Sequence, residues 1–197
     1  KRIYILVVVA LATLSASAQD LVVASYNIRN DNEGDVKRGN GWAQRCPFIC
    51  NQIEWNDVDI FGAQEVKRNQ IDDMLRELEE YDYVGVGRDD GKRAGEFMAI
   101  FYRKDMVELL DGGTFWLSET PEIVSQGWDA ACRRTCTWTR MRMKSSGDEF
   151  IYLNTHLDHL GAKAQEESIK LIIERVKPYF EEDLPIFITA DFNLTPD

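Results

Sequence analysis

The chain has 197 residues, a formal net charge of −11 and five tryptophans. A surface this acidic offers no electrostatic attraction to a nucleic-acid backbone, whose non-specific binding comes from Lys and Arg neutralising phosphates. The aromatic content argues against a disordered chain. With no internal repeat, low-complexity tract or linker-like stretch, the reading is one domain of about 180 residues behind a short leader.

In chain order, Lys1 and Arg2 precede the uncharged run IYILVVVALATL, the small residues SASA and then Gln19. This basic, apolar, small-residue order is that of a secretory signal peptide cleaved after Ala18. The run is short of the roughly 20 residues a spanning helix needs. The expectation is a signal peptide over 1–18 and a mature domain over 19–197. That domain is expected to be exported to the bacterial periplasm or the extracellular space, monomeric and without a membrane span.

LVVASYN (21–27) is predicted as a strand, followed by a polar, glycine-containing loop. WAQRCPFICNQIEWND (42–57) is predicted as a helix with Ile49 and Ile53 on one face. VDIFGAQE (58–65) is a strand, and NQIDDMLRELEEY (69–81) sets Ile71, Met74, Leu75 and Leu78 at helical spacing. Strands then come in succession: YDYVGVG (81–87), FMAIFYR (97–103), a segment around TFWLS (114–118), and CTWTRMRM (136–143). The last turns through KSSGDE into FIYLNTH (150–156) as a hairpin. A helix is expected over 162–176, and PIFITADFN (185–193) forms the final strand.

Cys46 and Cys50, and Cys132 and Cys136, form two pairs with three intervening residues each. Buried free thiols, a disulfide and a metal cluster all remain open for them, and no catalytic role is assigned. The chain has no Gly-x-Ser-x-Gly nucleophile elbow. GVGRDDGKRAGE (85–96) is glycine-rich but lacks the order of a P-loop.

Four of the predicted strands are apolar along their length and end in a group able to bind a metal or a phosphate: Asn27, Glu65, His156, and Asp191 with Asn193. Binding crevices form outside the carboxyl ends of strands flanked by helices. Carboxylate and amide oxygens are the ligands that a hard cation such as Mg²⁺ takes. His159 either reaches the rim of such a cleft or caps the next loop. Arg133, Arg134 and Trp138 read equally as substrate-recognition residues or as ordinary strand residues.

With YNI around Asn27, GAQEV (62–66), NTHLDH (154–159) and ADFN (190–193) in this order, the chain resembles the endonuclease/exonuclease/phosphatase superfamily of metal-dependent phosphoesterases. It is most similar to the secreted bacterial members. The resemblance implies an α/β fold, a deoxyribonuclease I-like sandwich of two packed mixed, largely antiparallel sheets with helices on the outer faces. It also implies that Glu65 and Asn27 sit at a Mg²⁺ or Mn²⁺ ion, and that His156 hydrogen-bonds the scissile phosphate. Glu96 in GEF would orient a catalytic histidine, helping to keep His156 charged. Asp191 and Asn193 would position water or the leaving group.

Ala190 and Lys67 stand where family members usually carry Gly and, in several nucleases, Arg. Family members also continue past DFN to further strands, an Asp, and an Asp-His pair whose His is the usual general base. The resemblance therefore implies a domain whose last strands are missing here and an enzyme active only in a longer form. The implied activity is metal-assisted hydrolysis of a small phosphodiester, a phospholipid head group or a sugar phosphate. The alternatives are a non-catalytic, phosphate-binding relic of the same fold and an extracellular nuclease.

Overall fold

The computed structural model describes residues 20–194; the expected signal peptide lies outside them. Strands β1 (Val23–Asn27), β2 (Ile60–Val66), β3 (Tyr81–Val84) and β4 (Phe97–Arg103) make one sheet in the order β1-β2-β4-β3. Strands β5 (Val107–Trp116), β6 (Thr135–Met143), β7 (Glu149–His156) and β8 (Ile186–Asp191) make a second sheet in chain order. β1 with β2, and β7 with β8, are parallel; the remaining pairs are antiparallel.

Parallel neighbours cannot be joined by a tight turn and need a crossover of a dozen or more residues. Helices α1 (Glu33–Lys37) and α2 (Trp42–Trp55) supply it between β1 and β2, and α4 (Ala162–Glu181) supplies it between β7 and β8. Helix α3 (Arg68–Glu77) joins β2 to β3. Each crossover brings the carboxyl ends of its two strands to the same end of the sheet.

Strand alternation sorts the side chains into three layers. Phe61, Ala63, Ala99 and Phe101 pack with Ile49 and Ile53 of α2 and with Ile71 and Met74 of α3. Their strand neighbours Ile60, Ile100 and Tyr102 turn the other way, joining Met141, Phe150 and Tyr152 between the sheets. On the far side Phe115, Cys136, Ile151 and Leu153 receive Ile172 and Val176 of α4. β2, β4 and β7 are therefore covered on both faces, which is why they read as nearly continuous apolar runs. Each Ile, Leu, Phe or Met among them contributes about 1.5–3 kcal/mol when fully buried.

Toward the carboxyl ends of β2 and β7 the layer between the sheets becomes polar. Asn154 donates to the carbonyls of Ala63 and Ala99, both at 2.9 Å. Its Oδ1 accepts from Gln64 at 2.7 Å and from Thr189 at 3.2 Å. The strand residue beneath it is Gly62, where a Cβ would stand 2.0 Å from Thr189 Oγ1 and 2.6 Å from the Asn154 amide. No larger residue fits while that network is in place.

Local differences from the sequence reading have local causes. The loop after β1 contains α1, a helix of five residues. β5 begins at Val107 and runs through Gly112 and Gly113, ahead of the segment around TFWLS. β3 stops at Val84, and α4 continues past Val176 to Glu181 with Pro178 inside it.

Candidate active site

The carboxyl ends of β1 and β2 meet those of β7 and β8. Asn27 links the two sheets: its Nδ2 donates to Glu65 Oε1 and to Asp191 Oδ2, both at 2.9 Å. Its Oδ1 accepts from the Arg29 N–H at 2.9 Å, which fixes the orientation of the amide. Two carboxylates from different sheets thus flank a single nitrogen atom.

Glu65 reaches this point because β2 bulges. Ala63 pairs with Ala99 and Val66 with Phe97, so two residues of β2, Gln64 and Glu65, face one of β4. Glu65 has φ +63°, a left-handed conformation uncommon for a residue other than Gly, Asn or Asp. A bulge re-aims a side chain, and here it swings the carboxylate out of the packed layer. Among the described residues, the groups that hydrogen-bond to Glu65 are neutral amides: Asn27 Nδ2, the Asn30 N–H and Asn30 Nδ2. Carboxylate oxygens held by neutral donors suit a hard divalent cation, which takes oxygen ligands.

His156 is 6 % exposed, with Nε2 3.7 Å from Asp191 Oδ2. Asn193 Nδ2 lies 2.9 Å from both His156 Nε2 and the Leu157 carbonyl oxygen. The carbonyl can only accept, so the Asn193 atom is the donor, His156 Nε2 accepts, and the ring proton sits on Nδ1. His156 Nδ1 is buried without a hydrogen-bond partner among the described residues. Burial, then the Arg134 charge, lowers the His156 pKa against the pull of Asp191, Glu65 and Glu96. Both effects act against the charged His156 that the resemblance implies, and the hydrogen bond accepted at Nε2 fits a neutral ring. Burial alone would raise the Asp191 carboxyl, but the Asn27 amide and the Asn193 N–H outweigh it and hold the group below the usual carboxylate range.

Glu96 is placed differently from the resemblance. Its Oε1 accepts from Asn30 Nδ2 at 3.0 Å, and its Oε2 lies 2.6 Å from Arg88 Nη1. It makes no hydrogen bond to His156 among the described residues, because Asn30 and Arg88 already hold both of its oxygens. Lys67 turns away to the Asp31 carbonyl at 2.6 Å, while its backbone opens α3.

The sequence reading passed over Asn30, Gln64 and Asn154. The last two stood inside the quoted motifs as polar residues within apolar runs, which was the available signal. Asn30 carried none.

Arg134 is 5 % exposed at the mouth of β6 and donates to Asp158 at 3.3 Å, with Nη2 3.0 Å from His159 Nδ1. His159 is thus an exposed partner of Arg134, and Arg133 is a half-buried partner of Asp89 at 3.5 Å. Trp138 packs near Tyr179 beneath α4. Cys132, Asp158 and His159 form a group with metal-ligand chemistry. The guanidinium of Arg134 already supplies the positive charge there, bonding both Asp158 and His159, which disfavours a second cation. All four cysteines are free thiols, and Cys46 Sγ and Cys50 Sγ lie 4.0 Å apart on the buried face of α2.

A two-sheet sandwich with outer helices and a crevice of carboxylates, amides and imidazole at the carboxyl ends of its parallel strands is a deoxyribonuclease I-like fold. The solved mannosyl-6-phosphatase of Bacteroides thetaiotaomicron VPI-5482 superposes with a TM-score of 0.88 at 48 % identity, over 90 % of this chain and 67 % of that one. A solved endonuclease/exonuclease/phosphatase family protein of the same species gives a TM-score of 0.85 at 50 % identity, over 88 % of this chain and 63 % of that one. Nocturnin of Drosophila melanogaster is 26 % identical over 188 residues, 88 % of this chain and 28 % of its own length. No family model matches the chain. The chain belongs to the endonuclease/exonuclease/phosphatase superfamily. It spans less than two thirds of the length of its curated relatives.

Proposed function

We propose that this chain is part of an exported, Mg²⁺- or Mn²⁺-dependent phosphoesterase that hydrolyses a small phosphoester. A sugar phosphate, a phospholipid head group or a small phosphodiester is favoured over long nucleic acid. The observation that carries the reading is the meeting of Glu65 and Asp191, from separate sheets, on one nitrogen of Asn27. The acidic charge argues against a long polyanion, and the mannosyl-6-phosphatase among the relatives supports the sugar-phosphate arm. No helix of the described residues is long and apolar enough to cross a membrane.

Glu65 is the carboxylate to hold the cation, and Asn27 joins it through Oδ1 once the amide turns from the orientation in which Nδ2 faces both carboxylates. A divalent ion supplies Lewis-acid polarisation of the phosphoryl group and charge for the leaving oxygen. Asp191, held ionised beside them, accepts a hydrogen bond from the attacking water and orients it. Asn193 holds the His156 ring, and the His156 Nδ1–H, without a partner among the described residues, is the neutral donor left for phosphate charge, which it stabilises without repelling the carboxylates.

The test is hydrolysis by the longer protein of a sugar phosphate, a phosphodiester, sphingomyelin and DNA, with and without chelator, against Glu65→Ala. Chelator-sensitive turnover of a small phosphoester, lost in Glu65→Ala, is the expected result. Undiminished turnover in the variant contradicts the role of Glu65, preference for DNA favours the nuclease, and binding without turnover favours the relic.

A further inference from the structure

Asn30 makes more contacts to the crevice carboxylates than any residue singled out from the sequence. Its backbone N–H and its Nδ2 both point at Glu65 Oε2, at 3.1 and 3.3 Å, and the same Nδ2 lies 3.0 Å from Glu96 Oε1. The two oxygens of Glu65 are therefore unlike. Oε2 carries both Asn30 contacts, whereas among the described residues Oε1 carries only Asn27 Nδ2, on the side facing Asp191.

Asn30 is itself clamped. Its carbonyl oxygen accepts from Asn32 Nδ2 at 3.0 Å and from Arg45 Nη2 at 3.3 Å, and Glu96 is anchored by Arg88. The clamp spans three loops: the one after β1, the bulge of β2 and the one before β4.

We propose that Asn30 is a positioning residue of the cation centre, occupying Oε2 of Glu65 so that only Oε1 is offered to the ion. The proposal rests on the reading of Glu65 as a cation ligand. Its consequence is selectivity. Mg²⁺ demands near-ideal octahedral geometry and dehydrates reluctantly, whereas Ca²⁺ takes six to eight oxygens and accepts bidentate carboxylates. A Glu65 restricted to one oxygen suits the smaller ions. Removing the Asn30 amide leaves Oε2 with the backbone N–H alone, which frees it in part for bidentate binding and favours Ca²⁺. Groups that orient a ligand from outside the coordination shell commonly alter affinity by 10- to 100-fold.

The experiment titrates Mn²⁺ into the full chain by electron paramagnetic resonance and measures Ca²⁺ by its displacement of Mn²⁺. Wild type is compared with Asn30→Ala and Glu65→Gln, and the melting temperature of each metal-free protein reports the fold. Glu65→Gln is expected to lose Mn²⁺ binding. Asn30→Ala is expected to bind Mn²⁺ about tenfold more weakly, with the ratio of Ca²⁺ to Mn²⁺ affinity rising. Unchanged affinities in Asn30→Ala, or an equal fall for both ions, overturn the proposal while a loss in Glu65→Gln leaves the cation site standing. Unaltered Mn²⁺ binding in Glu65→Gln removes both. Should Asn30→Ala fail to fold, Glu96→Ala removes one anchor of Asn30 and shifts the ratio in the same direction; no shift there also overturns it.

Discussion

Gly62 and Glu65, three residues apart on β2, carry opposite demands. At Gly62 the facing sheet comes so close that a methyl group would stand 2.0 Å from Thr189 Oγ1. The expected outcome for Gly62→Ala is a loss of at least 1–3 kcal/mol from overpacking, measured by urea denaturation. A change within 0.5 kcal/mol, the usual range for an uncrowded surface site, would contradict the packing of Asn154 and Thr189 against this strand. Glu65 is legible as a ligand because it ends an apolar run, but its bulge is not. An extra residue between Ala63 and Val66 leaves no mark in the alternation, and a positive φ at Glu has no sequence signature. The contacts of Glu96 were hidden for a related reason: a motif gives the residue, whereas Asn30, far away in sequence, and Arg88, on the loop before β4, decide where its oxygens go.

At the scale of elements, the long periodic segments were readable and the short or interrupted ones were not. α3 and the first 15 residues of α4 follow from apolar spacing, and β4 and β7 from their buried runs. α1 is too short for periodicity, and tertiary contacts hold it. Asp35, 3 % exposed, accepts from Arg29, Arg38, Arg45 and Asn32. The start of β5 was hidden by Glu108, Asp111 and two glycines, residues that are depleted from strands. Hydrogen bonding from Arg29, opposed by burial and reinforced by Arg38 and Asn32, lowers the Asp35 pKa below its ordinary 3.8. A depressed carboxylate stabilises the fold above its unfolded-state pKa, and this contribution fades as pH falls through the folded value. Asp35→Asn is therefore expected to melt below wild type at pH 6, with the gap closing as pH drops below about 3.8. A gap that stays constant into acid would show that shape rather than charge holds α1.

Across the whole molecule, two parallel strand pairs, one in each sheet, each closed by a helical crossover, bring their carboxyl ends together across the sandwich. The layers were legible from strand patterning and resemblance together. The way the ends meet was not, because it depends on the polar layer that Gly62, Gln64 and Asn154 build between the sheets. A ligand that binds only the folded state stabilises it by about 2.7 kcal/mol at a hundred times its Kd. Mn²⁺ is thus expected to raise the melting temperature of wild type and leave Glu65→Gln unmoved. The most direct measurement is an anomalous difference map from crystals of the chain soaked in Mn²⁺. One manganese peak coordinated by Glu65, beside Asn27 and Asp191, is the expected result. A crevice without a peak, or manganese confined to Cys132, Asp158 and His159, would contradict the account.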